Sequence, residues 1–230
     1  MFFQYGDCET TYLTSKDKRL GWAIQQIGHI NREVDSDLFS AIVHHIIGQQ
    51  ISTAAQATIW SRLLTAAGTV TADSLTSLGR DRLQQIGMTY KKADYMLDFA
   101  KQVKSGTLNL EQLWSLSDKE VILELTKLKG VGVWTAEMIL TFCMQRPNVV
   151  SFGDLAIQRG MRMLYRHRQI DRTKFERYQK RYAPYGTVAG LYLWAIAGGA
   201  IPELTDPAGK RQKGIYHVLM DHRGGCRLLY

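Results

Sequence analysis

One stretch, LKGVGVWTAEMILTFCM at residues 128–144, constrains this chain more than any other. Gly130 and Gly132 stand one residue apart between two runs with apolar residues at helical spacing. In the first run, Ser117 and Glu120 form a capping box, and Val121, Ile122, Leu125 and Leu128 form the apolar face. The second run is expected to stay helical until Arg146-Pro147, because proline cannot continue a helix. Two helices joined by so short a turn form a hairpin, and the second helix begins with backbone N–H groups that have no intrahelical partner. Those donors and the helix dipole suit an anion such as a backbone phosphate. Gly130 and Gly132 are expected to supply positive φ and, lacking a Cβ, to let a phosphate approach closely. Lys129 adds a positive charge beside them. Taken alone, G-V-G also describes an ordinary helix joint.

The rest of the chain reads as helix. LFSAIVHHIIGQ (38–49) is amphipathic, with Asp35 or Ser36 as its cap. Residues 52–68 start at Ser52 and stop at Gly68, and 89–106 start at Thr89 and stop at Gly106. Residues 75–88 read as two short pieces broken around Gly79, and 110–116 as a short helix. NVVSFGD reads as a loop leading to a helix that opens at Asp154, and Pro184 ends the helix after that. TVAGLYLWAIAGG has the composition of a buried central helix. The tail from Ile201 to Tyr230 is weakly patterned, and GKRQKG within it reads as an exposed basic turn. The expected class is all-α.

Composition narrows the function. A chain of 230 residues holds one large domain or two small lobes. No run approaches the roughly 18–20 apolar residues of a membrane span. The N-terminus has no basic segment followed by an apolar one, so an intracellular (cytoplasmic) protein is expected. Cys8, Cys143 and Cys226 are far apart and odd in number, which fits neither a disulfide framework nor a metal site. His44 and His45 are adjacent and would point apart on a helix. The formal net charge is +8, and residues 159–181 carry nine Lys or Arg against Asp171 and Glu176. Such a run suits nucleic acid, or is simply a well-solvated helix surface.

The segment LKGVGVWTAEMILTFCMQRPNVVSFGDLAIQR resembles the helix-hairpin-helix DNA glycosylase superfamily, and within it the alkylation-repair branch of the 3-methyladenine DNA glycosylase II type. That branch reads G-[IV]-G-x-W-T-A where this chain has Gly130 to Ala136, and its single Asp falls at Asp154. IIGQQISTAAQ (46–56) and APYGTVAGLYLW (183–194) are similar to two further blocks of the family in the same order. The resemblance implies a two-lobed all-α fold with an active-site cleft between lobes. Residues 38–145 would form the lobe with the hairpin and 146–230 the second, with 1–37 packing against it. It implies a monomer acting on double-stranded DNA, and the roughly 35 residues before the first matched helix are expected to be too few for the separate β-rich N-terminal domain of some bacterial relatives.

The resemblance also assigns residues. Asp154 would stabilise the positive charge that develops on the sugar as a base leaves, and would orient water; capping the following helix is its bland role. Trp134, Met138, Tyr185 and Trp194 would line the base pocket, where aromatic faces attract a cationic alkylpurine; core packing is the alternative for each. Gln50, flanked by Gln49, would fill the gap left by a flipped base. Ser52, Lys91, Lys92, Lys129, Gly130, Gly132 and Thr135 would contact DNA. Trp134 stands where strand-cleaving relatives carry a lysine, so a monofunctional glycosylase for 3-methyladenine or 7-methylguanine is expected. No metal is needed; a monovalent cation on the carbonyls of 128–133 would fit the family. The chain departs from the pattern at Gly186, where relatives have arginine, and at Ser151-Phe152-Gly153, where they have a proline-bearing loop. A glycosylase for hypoxanthine, etheno-adenine or uracil, and a non-catalytic DNA-binding protein, are the competing readings.

Overall fold

The computed structural model describes residues 1–209 and the backbone of Leu219–Met220 and Cys226–Arg227. Its helices in chain order are α1 (Asp7–Lys16), α2 (Lys18–Ile27), α3 (Leu38–Gly48), α4 (Thr53–Ala67), α5 (Ala72–Ile86), α6 (Tyr90–Lys104), α7 (Leu110–Leu113), α8 (Asp118–Thr126), α9 (Val133–Phe142), α10 (Leu155–Tyr165), α11 (Arg172–Tyr182) and α12 (Gly186–Ala197). The expected all-α fold is present, with one two-residue antiparallel ladder, β1 (Leu219–Met220) on β2 (Cys226–Arg227). The basic turn expected at GKRQKG lies, from residue 210 on, outside the described residues. Among the described residues no helix is long and apolar enough to cross a membrane.

The chain divides into two compact units, residues 35–144 and residues 1–34 with 145–230. In the first, α5 packs on α6, α8 on α9, and α3 on α4, α6 and α9. Ser52, Thr89 and Ser117 accept backbone N–H groups at 3.3, 3.2 and 3.4 Å and cap their helices as the sequence implies. One cap and two boundaries differ from expectation. α3 begins at Leu38 as read, and Asp37, the residue directly before it, caps it through Ser40 N–H at 2.6 Å in place of Asp35 or Ser36. α5 starts at Ala72 under Thr71 and contains the break at Gly79 (φ 69, ψ 174). α9 stops at Phe142, not at Arg146: the N–H groups of Cys143 and Met144 converge on the Ile139 carbonyl at 2.9 and 3.0 Å, and Gln145 turns left-handed (φ 50). Its end is set by that turn, and Pro147 comes too late to matter.

In the second unit α12 is the core. All twelve of its residues are buried, and α1, α2, α10 and α11 pack around it. α10 touches it backbone to backbone: a Cβ on Gly160 would run into the Leu193 carbonyl oxygen. The chain between α9 and α10 is stapled to the start of α12. The Thr187 hydroxyl donates to the Arg146 carbonyl at 2.6 Å and accepts Val149 N–H at 2.9 Å, and Thr187 N–H donates to the Pro147 carbonyl at 3.0 Å. This staple fixes the loop that delivers Asp154 to the start of α10.

Candidate active site

The hairpin is built as the glycine pair suggests, but its two glycines do different work. Gly130 has φ 83, and a Cβ there would strike the Tyr95 ring, so both conformation and space demand glycine. Gly132 has φ −93 and ψ 174, backbone that any residue adopts, which corrects the expectation of positive φ there. Nothing lies within 4 Å of where its Cβ would be, so the space over it is open. It is the N-cap of α9 and offers no side-chain bond to the first turn, whereas α8 is closed by its capping box. The first amides of α9 therefore face that space without a capping side chain. The Lys129 side chain is well exposed and 3.5 Å from Asp98.

The GQQ turn between α3 and α4 is tied to this hairpin. Gln49 Nε2 donates to the Gly130 carbonyl at 2.6 Å. Lys92 Nζ donates to the carbonyls of Ile47 and Gln49 at 2.8 and 2.7 Å and so closes the C-terminal end of α3. Burial holds the Lys92 ammonium below the ordinary lysine range. Gln49 and Lys92 are thus structural parts of the turn, not surface groups waiting for phosphate, while Lys91 remains exposed, 5.8 Å over the Tyr95 ring. Gln50 sits at the tip, exposed and left-handed (φ 58). On α9, Trp134 is 39% exposed, but Met138 is 1% exposed and Thr135 is also buried. Met138 and Thr135 both belong to the buried side of α9. Two hairpin carbonyls are already in use, Leu128 by Val131 N–H at 3.1 Å and Gly130 by Gln49. Each keeps a second lone pair, so these oxygens fit a monovalent cation only as shared ligands.

In the other unit, Asp154 is 4% exposed. Its Oδ1 accepts the N–H groups of Ala156 and Ile157, both at 2.9 Å, and the Trp194 indole N–H at 3.2 Å. The carboxylate is therefore both the N-cap of α10 and the partner of a tryptophan on the central helix. Gln158 Nε2 holds the preceding loop by the Phe152 carbonyl at 2.6 Å. Ser151, in the loop before Asp154, is fully buried. Trp194 is 5% exposed, so its ring is packed and its N–H is directed at Asp154. Tyr185 is half-buried, edge-on to Tyr12 at 5.2 Å, with its hydroxyl 3.7 Å from Cys8 Sγ.

Residues 43–184 match the family described as the HhH-GPD superfamily base excision DNA repair protein. The chain belongs to the HhH-GPD superfamily. The crystal structure of a DNA-3-methyladenine glycosidase from Bacillus halodurans is 33% identical, covers 89% of this chain and 95% of that one, and superposes with a TM-score of 0.78. The Schizosaccharomyces pombe 3-methyladenine DNA glycosylase in complex with abasic DNA is 25% identical, with coverage of 86% and 99% and a TM-score of 0.76. A DNA-3-methyladenine glycosylase of Bacillus subtilis is 25% identical over 70% of this chain. The chain spans 57% of that relative's length, and 59% of a second Bacillus subtilis relative, YfjP. These likenesses fall in the alkylation branch of the HhH-GPD superfamily.

Sequence reasoning missed the groups that hold the site together. Thr187 lies at the Gly186 departure, and its hydroxyl gives the loop before Asp154 its anchor on α12. Gln158 is invisible as a function because one glutamine on a helix carries no pattern. The Lys92 bonds to α3 were also missed; an ammonium one turn into a helix reads as surface until the chain it covers is known.

Proposed function

We propose that this HhH-GPD protein is a monofunctional DNA glycosylase that hydrolyses the N-glycosidic bond of alkylated purines, 3-methyladenine and 7-methylguanine among them, in duplex DNA. The observation that carries the reading is Asp154, a buried carboxylate oriented by two α10 amides and the Trp194 indole. A carboxylate so fixed cannot reorient as charge develops, which is what makes preorganised electrostatic stabilisation effective. As the C1′–N bond breaks, the base leaves with the bonding electrons and the carboxylate's negative charge offsets the positive sugar; water then adds at C1′ and gives up a proton to solvent. An N3- or N7-alkylated purine already carries positive charge and leaves without much acid catalysis. The names of the relatives support the alkylpurine class.

Duplex DNA would be held by the open first turn of α9 with Lys129, and by Lys91 and Ser52. Gln50, exposed on a turn locked by Gln49 and Lys92, suits filling the gap left by the flipped base. The exposed Trp134 offers a stacking face for a cationic base. Trp134 also occupies the place of the strand-cleaving lysine, and Lys92 is spent on carbonyls, so no amine is assigned to attack the sugar. No step runs through a metal.

The test is release of free base from N-methylated duplex DNA, with strand scission scored separately on a duplex containing an oxidised guanine. Released 3-methyladenine with strands intact until alkali is the expected result. No release from methylated DNA defeats the alkylpurine reading, and strand breaks without alkali defeat the monofunctional one. Release of hypoxanthine, etheno-adenine or uracil instead would reassign the lesion, and binding without release of any base would leave a DNA-binding protein only.

A further inference from the structure

The basic run of residues 159–181 is the one sequence feature that the proposed site leaves unused. The structure divides it. Arg162 grips Asp206 at 2.9 and 2.5 Å, and Arg159 stands 3.9 Å from the same carboxylate. Arg172 pairs with Glu176 at 3.1 Å and Lys174 with Asp171 at 2.7 Å. Arg181 reaches the buried Asp17 at 2.8 Å. Arg166, Arg168, Arg177 and Lys180 form no ion pair among the described residues.

Two clefts open where the end of α10 meets the start of α2, and of these four cations Arg166 lines one of them. One, of about 430 Å³, is lined by Lys18, Arg19, His167, Tyr178 and Arg181 over Asp17 and Tyr165. Its neighbour, of about 250 Å³, shares Arg19 and adds Trp22, Leu164, Arg166 and Leu204. The floor is fixed by hydrogen bonds. Asp17 accepts the N–H groups of Arg19 and Leu20 on one oxygen, both at 3.0 Å, and Tyr165 Oη and Arg181 on the other, at 2.9 and 2.8 Å. Its negative charge is thus answered within the floor. The cations left on the rim are Lys18, Arg19 and Arg166, all exposed, and Arg19 is aimed by its bond to the Tyr165 carbonyl at 3.0 Å. His167 is held below its ordinary range by burial first, then by Lys174 and Arg19, with Arg177 adding to them and Asp171 opposing.

We propose that these joined clefts are a second nucleic-acid contact, in which Lys18, Arg19 and Arg166 take consecutive phosphodiesters of the DNA backbone. The proposal rests on the DNA glycosylase reading. The cations are spread along the rims of two clefts instead of converging on one point, which fits a repeating anion better than a single one. A stacked base is not the occupant of the larger cleft: Tyr178 already has Tyr165 at 4.0 Å and the Arg181 guanidinium at 5.2 Å on its ring. Contacts of this kind position a duplex without reading its sequence.

The experiment is salt-titrated binding of the full chain to undamaged duplex DNA by fluorescence anisotropy. Lys18→Gln/Arg166→Gln is compared with Lys101→Gln/Lys119→Gln, which removes the same charge from exposed positions elsewhere. Each phosphate contact contributes about 0.9 to the slope of log affinity against log salt, or about eightfold at 0.1 M salt. The cleft pair should flatten the slope by about 1.8 and weaken binding by roughly sixtyfold at that salt. The control pair should change both far less. Base release from lesion DNA at saturating enzyme should keep its parental rate. A parental slope in the cleft pair, or equal losses in both pairs, overturns the proposal. So does saturable binding of inorganic phosphate at the cleft that leaves DNA affinity untouched. If the unmodified chain itself binds no duplex DNA, the glycosylase reading has failed, which is a different result.

Discussion

Asp154→Asn and Asp154→Ala together separate what this carboxylate does for the fold from what it does for the reaction. Asparagine caps helices about as well as aspartate, and its Oδ1 can accept the same bonds from Ala156, Ile157 and Trp194. Its stability should stay within about 0.5 kcal/mol of the parent, a shift in Tm of about 1–2 °C for a chain of this size. Alanine removes the cap, about 1 kcal/mol, and leaves the buried indole N–H without this acceptor, another 1–3 kcal/mol or so. It should melt roughly 4–16 °C lower. The reaction follows charge, not capping. Losing a preorganised electrostatic group costs about 100- to 1,000-fold in rate, so both variants should release base at least that much more slowly in single-turnover assays on methylated duplex. Parental release by the asparagine variant refutes the reasoning. So does a pattern in which only the alanine variant slows, in step with its melting temperature, because Asp154 would then be a cap alone.

Three more outcomes follow from particular contacts. Trp194→Phe keeps an aromatic ring but removes the N–H on Asp154; a hydrogen bond to a charged group is worth about 1.5–3 kcal/mol, so release should slow about 10- to 100-fold, with little further loss in an Asp154→Asn background, and additive losses in that double-mutant cycle would refute the coupling. Gly130→Ala should destabilise the protein by about 1–3 kcal/mol, because φ 83 and the Tyr95 ring both oppose a Cβ, whereas Gly132→Ala should melt like the parent and bind duplex DNA more weakly; unchanged binding would remove the phosphate from the hairpin. Arg162 holds the Asp206 carboxylate below its ordinary range, so the pair's stabilisation is present above the unfolded carboxylate pKa of about 4 and is lost as pH falls through the folded value; Asp206→Asn should lower Tm at pH 7 and melt nearer to the parent below pH 3, and a constant difference across that range would contradict it.

How much of this was legible in the sequence depended on whether the signal was local. Caps at Ser52, Thr89 and Ser117, the break at Gly79 and the buried helix α12 all follow from near neighbours in sequence, and all are present. So is Asp154 at the start of α10, because a cap and a functional carboxylate demand the same position. The errors arose where a distant segment decides. Lys92 reads as a surface cation until α3 presents two carbonyls to it, a contact 45 and 43 residues away in sequence. Gln49 reads as a DNA contact flanking the plug Gln50 until Gly130, 81 residues on, takes its amide. The basic run reads as uniform until Asp17 and Asp206, both outside it, neutralise part of it.

That redistribution also changes where lesion selectivity can reside. Four side chains were expected to line the base pocket. Met138 is core, Tyr185 is engaged with Tyr12 and Cys8, and Trp194 has its ring packed and its N–H on Asp154. Trp134 alone among them presents an exposed large face. On the proposed reading, discrimination then rests mainly on one indole, which attracts a cationic base through its π-face and has few hydrogen bonds with which to read base edges. Cation–π attraction of about 0.5–2 kcal/mol corresponds to roughly 2- to 30-fold in rate. Trp134→Ala should therefore slow release of 7-methylguanine by up to about that factor, beyond any loss for a neutral lesion such as hypoxanthine, and should narrow the preference between the two. The assay is parallel single-turnover release from matched duplexes. An equal loss on both lesions would make Trp134 a wall of the site without a role in recognising charge. A larger loss on hypoxanthine would place selectivity in hydrogen-bonding groups not yet assigned.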